Sequence, residues 1–354
     1  MDFWYALVAG LIIGAIFGFI LQRGRFCMNS AFRDILLLKE YKLAKAVTIS
    51  LAVLMVGFAI FAFGGIIDLN PRPFKPLAAI VGGLIFGIGM VLAAGCASGT
   101  TYRVGEGMLG SFVAAIGLTG GALMTAAGPL FEAKNTLQDI DLGQITLFGE
   151  FDTTLTPVWM IIVGIVGLVL MFYFWGWPAI KKKREANEPM IKMENFKEAT
   201  FKKGWPWWVT GIAIGIILTA GYIASNGVVG ITGGWMDISQ WFTTSNIMVW
   251  AGFIIFGIIL GSFLSAYIGG EFKFRVPKDG FTLVKQFIGG LLMGFGAVTA
   301  SGCNVTNILG GVPQLSLHSI IVGAFIVIGC WLAAYLLFMW REDREPKEKK
   351  LKAE

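Results

Sequence analysis

Cys96 and Cys303 close two near-identical apolar stretches, GGLIFGIGMVLAAGC over 82–96 and GGLLMGFGAVTASGC over 289–303. At a constant offset of 207 positions, nine of the fifteen residues coincide, the final Gly95-Cys96 and Gly302-Cys303 among them. A third cysteine, Cys27, sits in QRGRFCMNS. A thiol is a weak hydrogen-bond donor and, once ionised, a nucleophile. Repeated inside membrane-grade sequence, it points to a two-fold pore or site whose chemistry is sulfur chemistry. Cys330 lies in the uninterrupted IVIGCWLAAYLL and is read as a packing residue. Four cysteines and one histidine, His318, are too few for a multi-ligand metal site. His318 reads as a polar cap of the last apolar segment. No cofactor is expected: the chain has no GxxxxGK[ST], no helical HExxH and no GxGxxG after a strand.

Each of the three cysteines lies where an apolar segment gives way to polar, Gly-rich chain: 22–30, 95–107 (GCASGTTYRVGEG) and 302–313 (GCNVTNILGGVP). Irregular backbone at membrane depth survives only inside protein or beside a cavity. Short helices starting just after Cys27, Cys96 and Cys303 would turn their N-terminal N–H groups toward a common centre, which suits an anion. Gly95 and Gly302 belong to this site, with Ser98 and Asn304 as neutral hydrogen-bonding groups and Thr100, Thr101, Thr306 and Asn307 nearby. Arg25, Arg103 and Glu106 flank the breaks. They read as interfacial or ion-paired anchors; the alternative is that the arginines draw anions to a pore mouth and Glu106 carries a proton. By the offset, Cys27 corresponds to Gly234 in NGVVGITGG, so the second copy keeps a Gly-rich irregular stretch but no thiol.

The elements that must hold these breaks are membrane spans. The chain has 354 residues, 56% hydrophobic and only 14% charged, with a mean hydropathy of +0.74; soluble proteins carry about 25% charged residues. Nine apolar segments, at about 4–22, 46–66, 77–94, 108–130, 156–178, 206–226, 247–268, 286–301 and 315–340, are of a length that crosses the ~30 Å hydrocarbon core, which needs roughly 20 residues. The short piece 31–38 cannot cross and reads as a partly penetrating helix. The +6 net charge is no nucleic-acid signal, because the basic residues cluster beside apolar spans. The stretches 23–45, 181–203 and 271–285 and the Lys-rich tail are basic, whereas 131–155 carries five acidic residues against Lys134. The positive-inside rule then puts the N-terminus outside and the C-terminus in the cytoplasm. Trp205, Trp207 and Trp208 form an interfacial belt.

The offset maps spans one to four onto spans six to nine and leaves span five over. An odd linker helix inverts the second half, and inverted repeats place substrate sites near the bilayer midplane. The expected fold is therefore an all-α polytopic membrane protein with two inverted four-span repeats, 1–131 and 205–340. They are joined by an outer loop, a linker helix and a basic cytoplasmic linker over 132–204, and a charged tail follows over 341–354.

In RGRFC (23–27), AAGCASGTTYRVGEG (93–107) and ASGCNVTNILGG (300–311) the chain resembles the YeeE/YedE family of bacterial sulfur-compound transporters. The resemblance implies uptake of thiosulfate across the inner membrane, an hourglass shape, and functional thiols at Cys27, Cys96 and Cys303. Some relatives are associated with selenium compounds, so the substrate stays open at this point. Relatives work beside a small TusA-like sulfurtransferase, expected here as a separate partner. Three neutral thiols in series would hand a sulfur anion along through short-lived contacts, since conduction needs weak, multiple sites. An unperturbed thiol pKa of roughly 8.5 leaves such groups protonated at neutral pH. A membrane sulfurtransferase holding a Cys persulfide, and a non-transporting anchor, are the competing classes.

Overall fold

The computed structural model describes residues 3–178, 201, 203–244 and 248–340. The lysines of 181–202 and the tail from 341, to which the charge argument appealed, lie outside these. The first half runs through α1 (Phe3–Arg23), α2 (Met28–Leu37), α3 (Lys42–Phe63), α4 (Pro76–Leu92), α5 (Ala97–Gly105) and α6 (Leu109–Ala126). A loop follows that carries α7 (Phe131–Gln138) and the two-residue strands β1 (Ile145–Thr146) and β2 (Gly149–Glu150); α8 (Leu155–Met171) comes next. The second half repeats the order of long and short elements: α9 (Trp207–Ser225), α10 (Ile231–Thr244), α11 (Trp250–Ile268), α12 (Gly280–Thr299), a π-helical turn Val305–Gly311 and α13 (Leu317–Ala334). Among the described residues nine helices are long and apolar enough to cross a membrane. The chain is an all-α polytopic membrane protein.

The expected spans lie on the observed helices with small shifts. The eighth span begins at Gly280 rather than 286, because Asp279 caps it: the carboxylate accepts the Phe281 N–H at 3.1 Å. The second begins at Lys42, its lysines forming the first turn of α3. One expectation fails in detail. Gly234, read as part of an irregular stretch, lies inside α10. Its hydrogen faces α11, where an added Cβ would stand 2.3 Å from the Ala251 carbonyl oxygen, so glycine is used there for close helix packing rather than for a break.

Helix contacts cross between the halves in exchangeable pairs. α1 packs on α11 and α3 on α9; α6 packs on α12 and α4 on α13; α4 and α12 pack on each other. The α4–α12 seam is built from residues of the duplicated motif. An added Cβ at Gly89 would stand 2.7 Å from the Met293 nitrogen, and one at Gly289 would stand 2.3 Å from the Ala93 nitrogen. The two Gly-Cys breaks thus leave the ends of a helix pair in backbone contact.

Candidate functional site

All three thiols arise from one local device. At the ends of α1, α4 and α12 a non-glycine residue adopts the left-handed conformation: Arg25 (φ 47°), Ala94 (φ 56°) and Ser301 (φ 55°). The next N–H closes a six-residue loop back into the helix: Phe26 to the Leu21 carbonyl, Gly95 to that of Met90, Gly302 to that of Ala297. This is the Schellman ending, here without its usual glycine at the left-handed position. The cysteine follows immediately and starts the next helix, its carbonyl accepting the first helical bond from Ala31, Thr100 or Asn307. A short polar helix is thereby hung from each thiol.

Cys27, Cys96 and Cys303 are all buried, at 1%, 0% and 1% exposure. Cys27 Sγ lies 3.7 Å from Cys96 Sγ. Cys96 Sγ also receives the Gly99 N–H at 3.3 Å and touches Ser98 Oγ at 3.5 Å. Gly99 makes room for the pair, since an added Cβ would be 2.6 Å from Cys27 Sγ and 3.1 Å from Cys96 Sγ. Cys303 Sγ lies 3.5 Å from Thr306 Oγ1. Its neighbour Asn304 reaches the first half, donating from Nδ2 to Met28 Sδ at 3.1 Å. The structure therefore joins two of the sequence-read thiols directly and connects the third to the Cys27 turn through Asn304 and Met28.

Other sequence-read polar groups are committed elsewhere. Thr100 and Thr101 hydroxyls donate to the Cys96 and Ala97 carbonyls. Asn307 Nδ2 donates to the Ala300, Gly302 and Cys303 carbonyls and so braces the second break. Gly95 packs against Thr100 and Arg103, and Gly302 (φ 158°) against Thr306 and Asn307. Arg103 donates to the Ala94 carbonyl, tying the first break from below. In the second half that tie is neutral: His318 Nδ1 accepts the Lys75 N–H at 3.3 Å, which leaves Nε2–H to donate to the Ala300 carbonyl at 3.1 Å. Gln138 of α7 reaches the same break, donating to Thr299 O at 2.8 Å.

Arg25 pairs with Glu271 at 3.1 Å, as does the buried Arg23. Gln22 Nε2 bridges Glu106 (3.1 Å) and Glu271 (2.7 Å). Burial pushes the Glu106 carboxyl above the usual carboxylate range against the opposing pull of Gln22 and Arg103. For Glu271 burial acts the same way, but the Gln22 bond and the charges of Arg23 and Arg25 together hold it below that range.

Two cavities approach the thiols from opposite ends. One, of about 680 Å³, lies at the basic end and includes Gly24, Arg25, Ser30 and Asp34 in its lining. The other, of about 230 Å³, includes Asn70, Arg72, Gln314 and Thr306. Among the described residues no carboxylate lies within ion-pair distance of the half-buried Arg72. Arg72 was not singled out from the sequence. The available signal was a cation in NPRPFKP, a loop that the charge rule assigns to the outside.

The profile described as sulphur transport matches residues 23–332. The chain is similar to the thiosulfate transporter TsuA of Spirochaeta thermophila, with 38% identity over 344 residues covering 93% of this chain and 98% of that protein. It is also similar to the thiosulfate transporter TsuA of Escherichia coli, with 30% identity covering 94% and 95%. A shorter match, 38% over 102 residues (28% of this chain, 24% of the relative), is to the probable transporter YedE of E. coli. On the match over residues 23–332 and the two relatives aligned over nearly their whole length, the chain belongs to the sulphur-transport family of membrane transporters and is not an enzyme.

Proposed function

We propose that this chain takes up thiosulfate across the bacterial inner membrane by way of Cys27, Cys96 and Cys303. The observation that carries the reading is the buried thiol pair, 3.7 Å apart, between a cavity with Arg72, which has no carboxylate partner among the described residues, and a cavity on the opposite end. That the full-length relatives are thiosulfate transporters supplies the substrate class.

The anion enters past Arg72 and Thr306 and meets Cys303. It then moves past Asn304 to the Cys27/Cys96 pair, with Ser98 as an added hydroxyl, and leaves beside Arg25. Thiosulfate is a dianion with a soft terminal sulfur. A neutral S–H can donate to that sulfur or to an oxygen without binding it as firmly as a fixed charge would. Glu106 and Arg103 brace this path rather than line it. In this reading the halves 1–131 and 205–340 are inverted repeats joined by 132–204. The N-terminus lies outside, the tail 341–354 lies in the cytoplasm, and a TusA-like sulfurtransferase is the partner at the basic end.

The test is uptake of radiolabelled thiosulfate into proteoliposomes. Cys96→Ala and Cys303→Ala are each expected to abolish uptake while the protein still reaches the membrane. Full uptake by the double variant would overturn the relay. Sulfate, lacking the soft sulfur, is expected to compete poorly. Stronger competition by selenium oxyanions would reassign the substrate, and a persulfide trapped on a cysteine with no intact thiosulfate inside would reassign the activity.

A further inference from the structure

Two side-chain amides near the thiols each keep one buried atom that has no hydrogen-bond partner among the described residues. Asn29, on the first turn of α2 and two residues past Cys27, is 0% exposed, and its Nδ2 makes no hydrogen bond. Asn304, next to Cys303, is also 0% exposed, and its Oδ1 is unpartnered. The two bracket Met28: Asn29 follows it in the chain and Asn304 donates to its sulfur. Cys27, Met28 and Asn29 are consecutive at the start of α2, and the Asn304–Met28 contact ties this turn to the residue beside Cys303. A buried donor without a partner loses its hydration and gains nothing in return, so one kept next to Cys27 needs a role that offsets this.

The fourth cysteine explains which end of Asn29 is left free. Cys330, also 0% exposed, donates from Sγ to Asn29 Oδ1 at 3.7 Å and lies 4.0 Å from the Asn29 backbone oxygen. A thiol proton selects the carbonyl end of the amide and leaves the two N–H donors of Nδ2 unused. A neutral double donor matches the hard oxygens of a sulfur oxyanion, whereas thiols match its soft sulfur.

We infer that Asn29 is a further substrate-binding residue, holding the oxyanion's oxygens through its free Nδ2 beside Cys27, and that Cys330 is its positioning residue. The inference rests on the thiosulfate reading above.

Asn29→Leu in the full chain, reconstituted and assayed with thiosulfate, is the decisive variant. Leucine is close in size and removes the unsatisfied group. Uptake is expected to fall at least tenfold while the melting temperature stays level or rises. Cys330→Ser keeps a donor and is expected to transport within about twofold of wild type. Cys330→Ala is expected to raise KM severalfold with a smaller change in maximal rate, because the amide is then free to turn. Wild-type rate and KM in Asn29→Leu would overturn the inference alone. A lowered melting temperature, or failure of that variant to reach the membrane, would overturn it too, since it would make the amide a folding element. No uptake by wild-type protein would bring down the transport reading and this inference with it.

Discussion

The first break and the second share a backbone but not a partner for their cysteine. Three positions after Cys96 stands Gly99, and the space above it holds the sulfur of Cys27. Three positions after Cys303 stands Thr306, whose hydroxyl touches the Cys303 sulfur at 3.5 Å. By the 207-residue offset Cys27 corresponds to Gly234, which packs against α11. The two near-identical motifs are thus completed in two ways: Cys96 meets a second thiol as well as the Ser98 hydroxyl, and Cys303 meets the Thr306 hydroxyl. The ties differ in the same sense. Arg103 braces the first break with a cation, and neutral His318, Asn307 and Gln138 brace the second. Near-identical sequence around two cysteines does not require identical chemistry at them.

Exchanging the two fillings tests this most severely. Gly99→Thr places a side chain into the Cys27 sulfur, and its uptake is expected to drop by more than tenfold. The reverse change, Thr306→Gly, leaves no clash and is expected to stay within several-fold of wild type. Equal losses would mean that the two breaks do the same job.

Glu106 and Glu271 belong to the network of Gln22, Arg23 and Arg25 on the Cys27 and Cys96 side, whereas the Lys75–Asp141 pair lies on the Cys303 side, so titration of the two glutamates is a smaller probe of the asymmetry. Glu106 has a raised folded pKa, so the folded state holds its proton more readily than the unfolded chain. Stability then falls as pH rises from the ordinary glutamate value of about 4.3 through the raised folded value. Glu271 has a lowered folded pKa; its contribution is present above the ordinary value and is lost as pH drops through the folded one. Melting curves in detergent should show Glu106→Gln more stable than wild type at neutral pH and Glu271→Gln less stable. The opposite order would remove the network from the account.

The smallest effect concerns what the breaks share. Ala94 and Ser301 hold a conformation that costs a non-glycine residue roughly 1–2 kcal/mol. Ala94→Gly and Ser301→Gly should each stabilise the fold, and by similar amounts of about 1 kcal/mol or less once the extra chain entropy of glycine is set against the relief. A large difference between them, read by melting temperature, would show that the two turns are not equivalent.

The spans, the three breaks and the three thiols were legible because hydropathy, polarity and self-similarity at 207 positions are properties of the chain itself. The short helices after Cys27 and Cys96 fell where the polar stretches placed them. The left-handed turns were hidden because Arg25, Ala94 and Ser301 sit where glycine is the usual signal. Gly234 misled for the converse reason: a glycine can mark a bend or a close contact, and sequence does not separate the two. Arg72, Asn29 and Cys330 gain their interest only from what lies near them in space, which no local pattern encodes.

The two cavities reach Ser30 on one side and Thr306 on the other, residues that stand three positions from Cys27 and Cys303. Water entering both would confine the transmembrane voltage to the thin layer between them. Each elementary charge crossing 100 mV meets about 2.3 kcal/mol, so a dianion driven toward a negative interior meets about twice that, concentrated on the few side chains that make the layer. The thiol septum would then be an electrical barrier as well as a chemical one, and net uptake would have to draw on a gradient or on removal of the anion from the far side.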